Sequence, residues 1–309
     1  MNKQLVWLLI VYVVTRGITS GANIVLKEEN DVFADSDKHY TQGMELLFGY
    51  MADEGGRKVM RRLGVRNLIY TPSEIDIADP QPDDRPWAGL TAIFCDDWYH
   101  KEDYYINVET AIGVVGEWSQ SDGIQTWFHR VIGSDKPEGW DNQIPNEPFI
   151  NVTLSYYRPL ASAGKPTEWV ADFTGTYGGS LGTAFINAEL GCMARAGWNV
   201  PIDYRSALIK PTKVEEGHGL SAYLFASSEL RLVLHNVTLG GSFFQDGPKQ
   251  TMEPLVHDMQ LGMALGIRKL PGDTDVGLSY AVVQRSEEFR EQEKQNRFGA
   301  VTLSVVKSF

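Results

Sequence analysis

Gln125 and His129 stand four residues apart in the segment from Gln125 to Pro148, a spacing that sets an amide and an imidazole on one face of a helix. An imidazole titrates near neutrality, so His129 could take a proton from water while Gln125 orients the ring or the water. Ile124, Phe128, Val131 and Ile132 can cover the opposite side of a helix near 122–133. Ser121 or Asp122 can cap its start and Gly133 its end. A single histidine on a half-apolar helix is more often structural than catalytic, so this window needs partners from elsewhere. Ser36, Ser119 and Ser121 are formal nucleophiles, but the chain has no GxSxG elbow, which favours attack by water.

A second group lies near the start. Glu28, Glu29, Asn30 and Asp31, then Asp35 and Asp37, then His39, Tyr40 and Thr41 gather carboxylates, an amide oxygen and a hydroxyl. Hard oxygen donors of this kind suit Ca²⁺, although an acidic first hairpin would have the same composition and the spacing is not that of an EF-hand. No His/Cys spacing points to zinc. Cys95 and Cys192 fall in strand-like segments whose parities point to opposite faces, so a disulfide between them is the less favoured state.

What could position these groups is legible in the alternation. Residues 1–22 have the shape of a signal peptide: Lys3, an apolar run from Leu5 to Val14, and small residues at Thr19, Ser20, Gly21 and Ala22. The run is about half the length a membrane helix needs, and no later stretch is longer. The mature domain is then 23–309. Its net charge is strongly negative, since the whole chain carries −12 and the only charged residues of the leader are Lys3 and Arg16, which argues against nucleic acid as a partner. Met259, Leu261, Met263, Leu265 and Ile267 alternate with Gln260, Gly262, Ala264 and Gly266. Met44, Leu46, Phe48 and Tyr50 alternate with Gly43, Glu45 and Gly49, the latter grouped with Thr41. Of thirteen Tyr, thirteen Phe and eight Trp, several stand near segment ends, among them Trp98, Tyr99, Trp118, Tyr156 and Tyr157, as an interfacial girdle requires.

The chain stops on Phe309 after Val301, Leu303 and Val305, a terminal strand like those that outer-membrane barrels present to their assembly machinery; Lys307 can snorkel at the membrane edge. Strand-like segments fall near 24–30, 40–51, 62–71, 87–98, 103–115, 148–158, 167–178, 183–194, 219–234, 253–269, 274–288 and 296–309. The expected fold is therefore all-β: one closed antiparallel transmembrane β-barrel of about twelve strands, with a short helix in an extracellular loop. Connections near 72–86, 116–147, 195–218 and 243–252 are expected to be the extracellular loops.

Three segments carry a more specific pattern, at 29–50, 69–90 and 113–148. Their landmarks are Asn30-Asp31, Tyr40-Thr41-x-Gly43, Tyr70-x-Pro72, Asp84-Arg85-Pro86-x-Ala88-Gly89, and Gln125-x-x-x-His129 leading to Gly139-Trp140-x-x-Gln143. In order and spacing they resemble the lipid A 3′-O-deacylase family of outer-membrane proteins. The resemblance implies a Ca²⁺-dependent ester hydrolase in the outer membrane that removes the 3′-linked acyloxyacyl group from lipid A. It implies catalytic roles for His129, Gln125 and Thr41, and metal ligation by Asp31, Asn30 and Asp135. The expected partners are lipid A or lipopolysaccharide, outer-membrane lipids and the barrel-assembly machinery through Phe309, with the chain a monomer.

This chain departs from the family in carrying Glu74, Asp76 and Asp79 where a basic residue can follow Tyr-x-Pro. Arg85 is either a loop anchor or a phosphate contact, and Arg62, Arg66, Lys136, His100 and His218 read as surface or interface residues. Two alternatives are a phospholipase-type barrel, although no histidine here is followed two residues on by serine, and a pore with a degenerate site.

Overall fold

The structure, a computed structural model, describes residues 22–307 apart from 35, 37–38, 55–56, 102, 166 and 202–218. The expected signal peptide, His218 and Phe309 lie outside the described residues, apart from Ala22. Twelve strands follow in chain order: β1 (Ala22–Asn30), β2 (His39–Glu54), β3 (Arg57–Thr71), β4 (Ala88–His100), β5 (Tyr105–Val115), β6 (Glu147–Gly164), β7 (Trp169–Gly182), β8 (Phe185–Trp198), β9 (Gly219–Asn236), β10 (Leu255–Leu270), β11 (Thr274–Arg285) and β12 (Asn296–Lys307). Each pairs antiparallel with its neighbours, and β1 closes on β12 from Ala22 opposite Lys307 to Asn30 opposite Gly299. Closure leaves no strand edge, which is the condition for a sheet to stand in lipid. No described helix is long and apolar enough to cross a membrane.

The alternation resolves into two faces. Ile24, Leu26, Leu46, Ile150, Leu154, Leu190, Leu261 and Leu303 are exposed on the outer wall. Inside, Arg62 makes two parallel hydrogen bonds to Asp96, directly opposite it on β4, and both are fully buried. Arg66 lies between Glu45 and Glu109, and Arg195 pairs with Asp172. Arg62 and Arg66 are thus lumen residues rather than the surface residues their charge alone implied: parity turns them inward, where carboxylates on adjacent strands neutralise them. Phe94, Phe225, Phe298, Tyr40 and Tyr70 join them, leaving cavities of about 320 and 230 Å³. Cys95 and Cys192 are free, on β4 and β8, with three strands between them.

The connections 31–38, 72–87, 116–146, 237–254 and 286–295 open at the end opposite the chain termini. The β8–β9 connection, 199–218, leaves from the terminal end instead, so the expectation of an extracellular loop at 195–218 was wrong. Strand parity decides this: β7 and β8 are joined at the loop end by only 183–184, a turn too short to mark that end from sequence.

Arg85 acts as a loop anchor. Its guanidinium, wholly buried, donates to Glu288 Oε2 at 2.7 Å and Thr238 Oγ1 at 3.1 Å and lies over the Tyr70 ring, tying the β3–β4 loop to two others. A group so enclosed, with both terminal nitrogens engaged by protein oxygens, is not placed to hold a phosphate. Arg85→Met should leave the buried Glu288 carboxylate with only the longer Arg285 pair, at 3.6 Å, costing locally up to about 3 kcal/mol, the low end for a broken buried pair. The expected readout is faster proteolysis of 72–87 and 286–295 with a lower temperature for loss of the compact form on gels.

Candidate active site

Registers across β1 to β4 carry one set of outward residues side by side: Asn30, Gln42, Ile69 and Gly89 in one row, and Glu28, Met44, Asn67 and Thr91 in the next row inward. Lipid-facing positions should be apolar, as Leu26, Leu46 and Val65 are lower on the same strands. Here instead the loop end of the wall is polar, and these polar groups are covered. A bulge puts Thr41 among them. Tyr40 and Gly43 both face the lumen, so the two residues between them share the outer side, and the register shifts between Tyr40 and Gln42. Thr41 was grouped with the inward Gly43 and Glu45 from simple alternation; the extra residue moves it outward, where its hydroxyl meets that of Thr71 at 2.7 Å. Asp31 N–H donates to the Thr41 carbonyl at 3.3 Å, bringing Asn30, Asp31 and Thr41 together.

Over β3 and β4 the cover is helix α1 (Ser121–Ile132), stopped by Gly133 in the left-handed region, where its N–H bonds the His129 carbonyl. Its buried face is Ser121, Gln125 and His129, all polar. Trp127 and Val131 are 58% and 64% exposed, and Ile132 is also exposed. The apolar residues thus lie on the side away from Gln125 and His129, with Ile124 and Phe128 partly buried, which suits a helix whose outer side meets lipid. Gly89 admits the helix start: a Cβ there would lie 2.2 Å from Ser119 Oγ and 2.4 Å from Ser121 Cβ. Asn67 donates to Ser121 Oγ at 2.9 Å, and Ile69 packs with Trp87, Trp140, Ile75 and Ile124 beneath the helix.

Those contacts orient the two chemical groups. The Trp140 indole N–H donates to Gln125 Oε1 at 2.8 Å; since an indole can only donate, the amide oxygen must face it. Gln125 Nε2 is then turned the other way, fully buried and without a partner among the described residues. His129 Nδ1 lies 2.6 Å from the Asp135 carbonyl, which can only accept, so Nδ1 carries the proton and Nε2 keeps its lone pair. Asp135 therefore holds the imidazole through its backbone, and its side chain is exposed. Asp84 steadies the adjoining loop. Burial opposes its ionisation, but hydrogen bonds from His39 and from the Ser73 and Arg85 N–H groups win, holding its carboxyl well below the usual range.

A family model described as outer membrane protein LpxR matches residues 5–306, nearly the whole chain. The chain belongs to the LpxR family. The solved LpxR from Salmonella typhimurium superposes on it with a TM-score of 0.76 at 19% identity, covering 91% of this chain and 99% of that one. The β domain of the Bordetella autotransporter BrkA gives a TM-score of 0.52 at 11% identity, covering 94% and 99%, and shares the barrel alone. No curated protein sequence matches significantly.

In this LpxR-family barrel, five of the six expected site residues, Asn30, Asp31, Thr41, Gln125 and His129, are buried on the outer wall or on the helix face over it. The sixth, Asp135, contributes its carbonyl. Asn67, Thr71 and Thr91 belong to the same assembly without having been singled out for it, and Trp140, a landmark of the third motif, holds the Gln125 amide there. A signal existed: polar residues at strand positions whose parity should face lipid.

Ion binding can be tested on the donors. Asn30 Oδ1 and Asp31 Oδ1 both accept from Val32 N–H, at 3.0 and 2.8 Å, so two oxygens converge at one point. Among the described residues no group of three His, Cys, Asp or Glu side chains converges, so other ligands would have to be amide, hydroxyl or carbonyl oxygens. An all-oxygen set with a single carboxylate fits Ca²⁺ and not a soft metal.

Proposed function

We propose that this barrel is an outer-membrane ester hydrolase that removes the 3′-linked acyloxyacyl group from lipid A. The observation that carries the reading is the inverted helix: a polar face holding Gln125 and His129 closes over polar residues on a lipid-facing wall. Such a groove admits a lipid from the outer leaflet sideways and keeps its ester against the helix. Membership of a family whose motifs the chain carries supports the same reading.

His129 Nε2 takes a proton from water, and the hydroxide so formed attacks the ester carbonyl. Gln125 Nε2 donates a hydrogen bond to the carbonyl oxygen as it gains charge, in an orientation already fixed by Trp140. When the tetrahedral intermediate collapses, the sugar oxygen leaves with the proton that His129 returns. Thr41, held by Thr71, lines the wall beside Asp31 and positions the ester. Asp31 and Asn30 would hold a Ca²⁺ ion, which when bound supplies positive charge to polarise the carbonyl.

Mass spectrometry of lipid A from cells with and without the gene tests this directly. The expected result is a species lighter by one acyloxyacyl unit only where the gene is expressed. Identical lipid A spectra from a strain with the barrel inserted would overturn the reading.

A further inference from the structure

We propose that Glu28 and Gln42 form a second polar subsite of this groove, which accepts a hydrogen bond from a hydroxyl or amide N–H on the acyl part of the lipid. The proposal rests on the reading of the groove as a lipid site. Register places both side chains on the outer wall: Gln42 stands between Asn30 and Ile69, and Glu28 lies opposite Met44. Gln42 is 2% exposed, and its Nε2 donates to Glu28 Oε1 at 2.7 Å. That bond fixes the amide, leaving Gln42 Oε1 buried without a partner among the described residues. The adjacent cation, Lys27, is of opposite parity and pairs with Glu29 in the lumen.

A carboxylate on a lipid-facing wall is costly, and such groups are found where a function uses them. One N–H of the Gln42 amide is spent on Glu28, and the acceptors that remain, the Gln42 carbonyl and the second Glu28 oxygen, outnumber the single N–H left, so what complements the pair is a donor. Its depth narrows the choice. Glu28 lies two residues further into the barrel wall than Asn30, about 6.6 Å at the rise of a strand. With an ester carbonyl held near Asn30 and Thr41, that is the depth of the first few acyl carbons. A 3-hydroxyl, or the N–H of a neighbouring amide-linked chain, falls there.

Binding separates this subsite from the chemistry. In detergent micelles, the His129→Ala protein is given two synthetic glucosamine lipids identical except for a 3-hydroxyl on the acyl chain, and complexes are counted by native mass spectrometry. The hydroxylated lipid should bind about five- to tenfold more tightly, the scale of one ordinary hydrogen bond. Adding Gln42→Leu or Glu28→Leu should bring the ratio close to one, with barrel assembly checked by heat-modifiable migration. No preference in the parent, or a preference unchanged in both variants, would overturn the subsite. Turnover by the protein with His129 intact is read separately: preference without hydrolysis removes the hydrolase reading and keeps the subsite, whereas hydrolysis with an unchanged preference removes the subsite alone.

Discussion

His129→Ala should lower ester hydrolysis by about a hundred- to ten-thousand-fold, the range over which a positioned general base contributes, while the barrel still inserts and closes. The two halves of that expectation have separate grounds. The imidazole Nε2 is free to accept a proton because Nδ1 is committed to the Asp135 carbonyl, so removing the ring removes the base. Closure of the barrel rests on the twelve-strand ladder, to which α1 adds only its seat on β3 and β4. The measurement is single-turnover hydrolysis by purified, heat-modifiable protein. Wild-type rates in the variant would remove the general-base role. Loss of the compact gel form would show that His129 supports the loop instead.

Every strand was legible because the outer wall is in lipid and the lumen is polar, so the period of two is written in strongly contrasting residues. The strand over 148–158 was read too short: β6 continues to Gly164 by absorbing Pro159 in a bulge between Pro159 and Ala161. Pro lacks a ladder donor, so its presence reads as an end unless the bulge is known. The same device hid the site. One extra residue at Thr41 reverses parity above it, and a pattern of two cannot show which side a residue takes beyond a bulge. Helix α1 was legible in extent from Gly133 and the spacing of Gln125 and His129. Its orientation was not, because amphipathicity gives the two faces without saying which meets lipid. Lumen pairs such as Arg66 with Glu45 and Glu109 connect positions 21 and 43 residues apart, and only register joins them.

Asp31→Asn should leave the shape of the site intact and raise the Ca²⁺ needed for half-maximal activity by about tenfold or more, since oxygen-rich sites set affinity partly by the number of charged ligands. Asp31 is the one carboxylate at the point where its Oδ1 and Asn30 Oδ1 converge on Val32 N–H. An asparagine keeps that oxygen as an acceptor, so the loop turn at 31–34 should survive. What is lost is the charge. Activity measured against free Ca²⁺ after chelation, for wild type and variant, separates this from a simple loss of rate: a metal ligand shifts the curve along the concentration axis and saturating ion restores much of the maximum. An unshifted curve with a lower plateau would place Asp31 among the groups that orient the ester. Wild-type activity indifferent to strong chelator would remove the ion altogether, leaving the buried Gln125 amide as the donor on which oxyanion stabilisation must rest.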